Sequence, residues 1–178
     1  MTKENINGKK GFTIIEVVLV LAIAGLIFLM VFVALPALQR SQRDTQRRQD
    51  YADLSAAISS YSTNNNGDLA RLVGGKNATS CKNLSTSATQ YINKDGKDPN
   101  GNDYNLYACN IASFNSAMTA SPNTKVPDES SVYVVVGADC SGSNKDGSAA
   151  PGQNSSSRSY AVYGYLEGGN NSYCSESQ

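Results

Sequence analysis

Apolar residues divide the chain into a long apolar segment near the N-terminus and a polar remainder. Residues 17–38 contain no charged or strongly polar side chain, whereas the sequence after them is rich in Ser, Asn, Gly and Tyr. As a helix with a rise of about 1.5 Å per residue, this segment is about 33 Å long, enough to cross a bilayer core of about 30 Å. A buried core helix of this length would carry a polar stripe, so the pattern predicts a membrane helix.

Helical spacing continues beyond the apolar segment. One apolar stripe recurs every three or four residues and could pack against a sheet. Its members are Tyr51, Leu54, Ile58 and Tyr61. The sequence NNNG at 64–67 then supplies helix-stopping residues. We therefore expect one helix from Phe12 to about Ser62.

Three later segments have the β-branched and tyrosine content of strands, namely 104–109, 131–137 and 159–166. We expect three or four antiparallel strands packed on the second half of the helix. The predicted fold class is α+β, a long N-terminal helix joined to a small antiparallel β-sheet head. Residues 141–158 contain no apolar side chain larger than Ala or Pro, so we expect a long exposed loop there.

Composition argues against catalysis. The formal net charge is zero and the chain contains no histidine, which removes the commonest general base and the commonest metal ligand. No nucleophile motif or distinct carboxylate pair is present. We expect no enzyme activity, no catalytic residue, no cofactor and no metal site.

Four cysteines follow the apolar segment, at positions 81, 109, 140 and 174. An even number in a Gly/Ser/Asn-rich region indicates disulfides and an oxidising compartment, and no pair has the spacing of a zinc site. Three pairings exist. We favour Cys81–Cys109 with Cys140–Cys174, because each closes a local loop.

The sequence KDPNGNDY at 97–104 permits two interpretations. Asp98, Asn100 and Asn102 have the spacing that begins a calcium loop, but Asp103 occupies the position that requires glycine and Cys109 the position of the bidentate glutamate. A tight turn built on proline and Asn-Gly is the better interpretation. Two later acids are weaker calcium candidates, Asp139 and Asp146.

Glu16 is a carboxylate at the start of the apolar segment. An acidic group at a helix centre costs about 2.5–3.5 kcal/mol on insertion scales, so such residues usually have partners. No basic residue lies within the segment. Cleavage after Gly11 would create an α-amino group on Phe12, one turn from Glu16. The partner would then be this amine, in the same chain or in a neighbouring one, and the alternative is a carboxylate that reaches the membrane interface.

Lys9–Gly11, Phe12, Glu16 and the apolar segment closely resemble the type IV prepilin signature. The resemblance implies that a membrane aspartyl peptidase, the prepilin peptidase, cuts between Gly11 and Phe12 and methylates Phe12. It implies that Glu16 and Phe12 act in assembly. Gly25 lies where many members have a glycine, whereas Pro36 lies about one turn later than usual, and we expect a helix kink at these positions.

The predicted organisation is a leader at 1–11, a transmembrane or filament-core helix at 12–38, an amphipathic second half at 39–66 and a disulfide-bonded pilin head at 67–178. The implied function is a type IV pilus subunit for adhesion, twitching motility or DNA uptake. Its partners would be copies of itself, the prepilin peptidase, the pilus assembly machinery and, before assembly, the cytoplasmic membrane. The alternatives are a pseudopilin or minor pilin of a secretion or competence machine, and an anchored extracellular binding domain that never polymerises.

Four arginines follow the apolar segment, at positions 40, 43, 47 and 48, and complicate its orientation. By the positive-inside rule they compete with the three lysines of the leader. The cysteines and the leader resemblance place the head outside. We interpret the arginines either as a solvated helix face or as contacts to lipid head groups or acidic neighbours, with nucleic acid a further, unsupported candidate.

Overall fold

The computed structural model describes residues 11–75, 78–84, 97–120, 127–143, 149–154, 156–168 and 172–177. The chain falls into two compact units, Met1–Gln39 and Arg40–Gln178. Two helices and seven strands are found in the described residues. In chain order they are α1 (Ile14–Asn64), β1 (Lys82–Asn83), β2 (Asn105–Asn110), α2 (Ile111–Ala120), β3 (Ser131–Val136), β4 (Ala138–Ser143), β5 (Ala149–Gln153), β6 (Tyr160–Tyr165) and β7 (Ser172–Glu176).

The first unit contains the apolar part of α1. This helix is long and apolar enough to cross a membrane, and none of its most apolar window is buried within the protein. Large apolar side chains on every side of it are exposed, from Ile14 at 84% to Leu35 at 43%. A helix that is apolar all round needs an apolar surrounding, and the described part of the chain does not cover it.

The part of α1 in the second unit packs on one face of the sheet. Tyr51, Leu54 and Ile58 of the predicted stripe are buried against strand residues of β3 and β6, and Tyr61 packs at the margin of the same cluster. The helix ends at Asn64, where the backbone turns left-handed at Asn66 (φ 55°) and Gly67 (φ 80°). Asn and Gly tolerate this conformation best, so the predicted helix stop is confirmed.

The main sheet has the strand order β1-β2-β3-β6-β7, and all neighbours are antiparallel except β2 and β3. The predicted α+β class is confirmed, with one parallel pair that the sequence analysis did not expect. The reason is α2, which follows β2 directly. A helical crossover returns the chain to the end of the sheet at which β2 began, so β3 runs in the same direction.

The second face of the sheet is covered by α2 and by a hairpin of β4 and β5. Phe114 of α2 meets Tyr133 and Tyr163 edge-on, with ring centroids 5.7 and 5.5 Å apart. Ala138 and Ala150 of the hairpin are buried in the same cluster. Because both faces are covered, every residue of β6 is buried.

The hairpin corrects the prediction of a long exposed loop at 141–158. Residues 141–143 belong to β4 and residues 149–153 form β5, which pairs with it antiparallel. The sequence did not indicate strands here because Ser, Gly, Ala and Pro have low β-propensity. Small residues are nevertheless required, since a Cβ on Gly142 or Gly152 would lie within 3.0 Å of the opposite strand.

Each disulfide secures one edge of the main sheet. Cys81, just before β1, bonds to Cys109 of β2, and Cys140 of the hairpin bonds to Cys174 of the edge strand β7. These are the two pairings that the sequence analysis favours. The short edge strands β1 and β7 are thereby covalently tied to their neighbours, which limits fraying and edge-to-edge pairing.

Candidate functional site

Gly11 and Phe12 lie in non-helical, exposed backbone just before α1 begins. A Cβ on Gly11 would meet no atom within 4 Å, and Phe12 is 89% exposed. As far as the described residues go, the peptide bond between Gly11 and Phe12 is therefore sterically open. The remaining leader residues, 1–10, lie outside the described residues.

Glu16 binds the N-terminal end of its own helix. Its Oε2 accepts hydrogen bonds from the Thr13 amide at 2.9 Å and from the Thr13 hydroxyl at 2.8 Å. In return, the Glu16 amide donates to the Thr13 hydroxyl oxygen at 3.4 Å. This is a capping box, in which Thr13 is the N-cap and Glu16 satisfies an amide that has no partner inside the helix.

The sequence analysis missed the role of Thr13. Its signal is the spacing T-x-x-E directly ahead of the apolar run, which is the sequence pattern of a capping box. The two hydrogen bonds also reduce the cost of placing a carboxylate near apolar surroundings. Among the described residues no cation pairs with Glu16, so any ionic partner must come from elsewhere.

Gly25 and Pro36 both lie inside α1, which continues through them to Asn64. A Cβ on Gly25 would meet nothing within 4 Å, so no contact inside the chain requires a glycine there. Pro36 lacks an amide, and the carbonyl of Phe32 therefore has no helical donor. The expected kink stays a prediction.

Two of the four arginines bind a single carboxylate of the second unit. Glu167, just after β6, accepts from Arg43 Nε at 2.7 Å and from Arg47 Nη1 at 2.7 Å. The Asp44 carboxylate accepts from the amides of Glu167 and Gly168 at 2.7 and 2.8 Å. The cluster fixes the chain after β6 onto α1.

Arg47 is completely buried, and its guanidinium carbon lies 5.4 Å from the centre of the Tyr165 ring. Its Nε and Nη2 have no hydrogen-bond acceptor within the described residues, which makes the ion pair with Glu167 more important. The bonds from Arg43, and then those from Arg47, lower the pKa of Glu167 to about 2. For these two arginines, the interpretation as a solvated helix face is wrong, whereas Arg40 and Arg48 are exposed.

The segment 97–104 is a turn in which the buried carboxylate of Asp98 accepts hydrogen bonds from amides of the same turn. Asp98 is 2% exposed, and its Oδ1 accepts from the amides of Asn100 at 3.0 Å and Asn102 at 2.7 Å. The Gly101 amide donates to the Asp98 carbonyl at 2.8 Å, and Gly101 has a φ of 89°. Tyr104 ties the turn to α1, because its hydroxyl donates to Asp50 at 2.9 Å.

Within the described residues, no group of three or more potential metal ligands comes together. Asp139, the weaker calcium candidate, accepts from the amide and hydroxyl of Ser141, which lower the pKa of its carboxyl. Asp146 lies outside the described residues. The arrangement of Asp98 and Asp139 is that of turn-forming carboxylates.

Comparison with known proteins assigns the N-terminal segment. Residues 6–32 match the family described as the prokaryotic N-terminal methylation motif. No curated protein and no solved structure gives a significant match. The chain thus carries the type IV prepilin signature, which points to a structural protein that is processed as a prepilin. The match includes Gly11, Phe12, Glu16 and Gly25 and ends before Pro36.

Proposed function

We propose that this chain is a structural subunit of a type IV pilus, cut between Gly11 and Phe12, methylated on Phe12, and polymerised through its N-terminal helix. The observation that carries the proposal is the methylation motif at 6–32, placed directly on an exposed helix of membrane-spanning length. Apolar side chains on all sides of this helix need lipid before assembly and other helices afterwards. A filament core supplies the second environment without water.

In assembly, the new α-amino group of Phe12 would pair with Glu16. Its reference pKa of about 7.7–8.0 keeps it largely protonated at neutral pH, so it can neutralise a carboxylate that enters an apolar core. Thr13 already holds Oε2 of that carboxylate. The other carboxylate oxygen, Oε1, is left to accept a hydrogen bond from the Phe12 amine of the same chain or of a neighbouring copy.

The proposed location is the cytoplasmic membrane, with the head outside, followed by the extracellular filament. Two disulfides in the second unit agree with an oxidising compartment. Arg43 and Arg47 pair with Glu167 in the folded head, and Arg47 also pairs with Asp44 at 3.6 Å, so fewer free cations follow the apolar helix than the sequence suggests. The partners would be copies of the chain, the prepilin peptidase and the assembly machinery.

A minor pilin or pseudopilin of a secretion or competence machine is the alternative within the same class, because it would carry the same motif. A binding domain that stays anchored and never polymerises is the alternative from another class. It accounts for the apolar helix but gives no joint reason for Gly11, Phe12 and Glu16. Adhesion, twitching motility and DNA uptake are the roles open to the filament.

Mass spectrometry of the N-terminus of sheared surface filaments tests the proposal. We expect a mature chain that begins at Phe12 and carries one added methyl group. Gly11→Val should block cleavage, because it replaces the glycine of the signature at the proposed cut with a branched side chain. Gly8→Val, the matched change at the other leader glycine, should leave cleavage intact. Filaments built from chains that retain Met1 would contradict the proposal.

Glu16→Val tests assembly separately from processing. We expect insertion and cleavage to continue and filament yield or methylation to fall, because the amine of Phe12 loses its carboxylate. Asp53→Val, an exposed control in the second unit, should assemble normally. Normal, fully methylated filaments from the Glu16 variant would refute the proposed pairing.

A further inference from the structure

The direction of the strands defines two ends of the second unit. β2 and β3 begin at one end, where β6 finishes and where Asp44 of α1 binds the chain after β6. We call this the entry end. β2 and β3 finish at the other end, where β6 begins and where α1 passes into the loop at 65–75. We call this second end the far end.

Three exposed cations surround the loop of the far end. The side chain of Arg158 lies across Gly67, where an added Cβ would be 2.7 Å from its Nε. Lys82 lies across Gly74 in the same way, with its Nζ 2.4 Å from such a Cβ. Arg71 lies within the loop and is 73% exposed. We call Arg71, Lys82 and Arg158 the basic cluster.

The basic cluster carries unbalanced positive charge. Arg71 faces Asp68 at 3.5 Å, but no acidic group of the described residues forms an ion pair with Lys82 or Arg158. Two acids also lie at the far end, on the hairpin side of the sheet. These are Asp139, which is bound by Ser141, and Glu176, which accepts from the amide of Cys140 at 2.9 Å.

The entry end carries the opposite charge. Asp128 and Glu129 are adjacent, exposed and immediately ahead of β3. Within the described residues, the Asp128 carboxylate accepts one hydrogen bond, from the backbone amide of Ser130 at 3.3 Å. The Glu129 carboxylate accepts one from the side-chain amide of Asn100 at 3.4 Å. We call Asp128 and Glu129 the acidic cluster.

The other charged groups of the entry end largely compensate one another. Asp103 pairs with Lys97 at 3.1 Å, and Glu167 binds both Arg43 and Arg47. Glu129 also contributes to the raised pKa of Arg43, but Arg43 is already held by Glu167. Two exposed arginines of α1, Arg40 and Arg48, also lie towards this end without an ion pair among the described residues, and Arg48 lies 5.4 Å from the centre of the Tyr173 ring. The acidic cluster is thus the unpaired negative charge of this end.

We propose that the basic cluster of one copy docks on the acidic cluster of another copy in the filament. The two clusters lie at opposite ends of the same compact unit, so neither can satisfy the other within one chain. A contact between two different patches is heterologous and repeats without closing, which is the kind of contact that an open filament needs. Complementary charges fix the register of such a contact and disfavour wrong ones.

This inference rests on the proposed function, since it assumes that copies of the chain polymerise with their helices parallel. When two heads are stacked along the direction that joins the entry end to the far end, the far end of one faces the entry end of the other. The partner is therefore a second copy of this chain.

Charge reversal in the full-length chain tests the docking. We expect Arg71→Glu with Arg158→Glu, and separately Asp128→Lys with Glu129→Lys, to reduce sheared filament yield about tenfold or more, because like charges then face each other. Asp53→Lys, an exposed reversal on α1, is the control and should leave the yield unchanged. Both disulfides, checked by non-reducing electrophoresis, report that the variants fold.

Two rescue experiments separate docking from a folding defect. Combining all four substitutions in one chain exchanges the two charges and should restore filaments. Co-expression of the two double variants should also restore them, as mixed filaments in which both variants are found. Failure of both rescues, or full assembly by either double variant alone, would overturn the inference.

Two further outcomes are distinguishable. If the native chain is cleaved but forms no filament, the proposed function fails and the docking inference fails with it. If Arg71→Glu with Arg158→Glu abolishes binding of duplex DNA while filament yield stays unchanged, the basic cluster serves nucleic acid and the docking inference is wrong.

Discussion

Gly164 of β6 allows the ring of Tyr51 to lie flat on the sheet, and Gly164→Ala should therefore destabilise the second unit. A Cβ at this position would lie 2.4 Å from Tyr51 Cζ and 2.6 Å from its hydroxyl oxygen. Carbon atoms pack best at about 3.5–4.0 Å, so the ring would have to retreat by about 1 Å. Tyr51 is 1% exposed and stacks on Tyr173 with centroids 5.6 Å apart, which leaves it little room.

The expected cost is a net loss of about 1–5.5 kcal/mol in the free energy of unfolding. Overpacking of a filled core costs about 1–3 kcal/mol. Retreat of the ring would also break the hydrogen bond from the Tyr51 hydroxyl to the Tyr165 carbonyl, at 2.9 Å, and an unmade buried bond costs about 1–3 kcal/mol. The lower entropy of the unfolded alanine chain returns about 0.4–1 kcal/mol.

This cost is measured by urea unfolding of the detergent-solubilised full chain, with the circular dichroism of the tyrosines as the signal that monitors unfolding. Gly25→Ala is the matched control, because its Cβ meets nothing within 4 Å and the head should keep its stability. In a Tyr51→Leu background, which lacks the clashing atoms, Gly164→Ala should cost less than about 0.5 kcal/mol. The reasoning is refuted if Gly164→Ala is as stable as the native chain, or if its cost is the same in both backgrounds.

Three other changes have definite expected outcomes. Glu167→Gln should cost roughly 3 kcal/mol by urea unfolding, because it leaves the buried Arg47 with only the more distant Asp44, at 3.6 Å, as a counter-charge, whereas Glu129→Gln, an exposed control, should cost little. The pKa of Glu167 in the folded chain, about 2, is below its unfolded value, so the stability from this ion pair is complete above about pH 5 and is lost as the pH falls towards 2. The Gln variant should lack this pH dependence. If the variant loses stability in acid as the native chain does, the assignment to Glu167 is contradicted. Replacing either cysteine pair by serine should lower the free energy of unfolding by about 3.5–4 kcal/mol, because the unfolded chain gains loop entropy; thermal unfolding measures this loss. Equal stability of the native chain with and without reductant would contradict a stabilising role of the disulfides. Thr13→Val should weaken the first turn of α1 by about 1 kcal/mol and raise amide exchange there in detergent, whereas Thr13→Ser should not; equal exchange in both variants would exclude the capping role.

Elements with a local periodic signal could be predicted from the sequence. The stripe at Tyr51, Leu54 and Ile58 predicted both the helix and the face that packs, because three- and four-residue spacing places these side chains together. The strands at 105–110, 131–136 and 160–165 were predicted to within one residue at each end, because β-branched residues and tyrosines dominate them. Helix α2 was not predicted, since its ten residues are mostly small and polar.

The rest depends on contacts between distant residues. β4 and β5 consist largely of Ser, Gly and Ala, and they form a hairpin because the second face of the sheet and Cys174 hold them in place. The parallel pairing of β2 and β3 follows from the crossover through α2, which the sequence did not reveal. Tertiary context overrides local preference most easily in such weakly patterned segments.

The charged residues of α1 show the same distinction. Glu16 has its observed partner three residues away, so the pattern T-x-x-E could have revealed it, whereas Arg47 binds Glu167 across 120 positions and no spacing rule reaches that far. The cap also bears on assembly, because both bonds from Thr13 go to Oε2. The proposed pairing with a Phe12 amine would use Oε1, so capping and pairing need not compete. Thr13 thus holds the carboxylate at the helix end, where the amine created by the proposed cleavage would meet it.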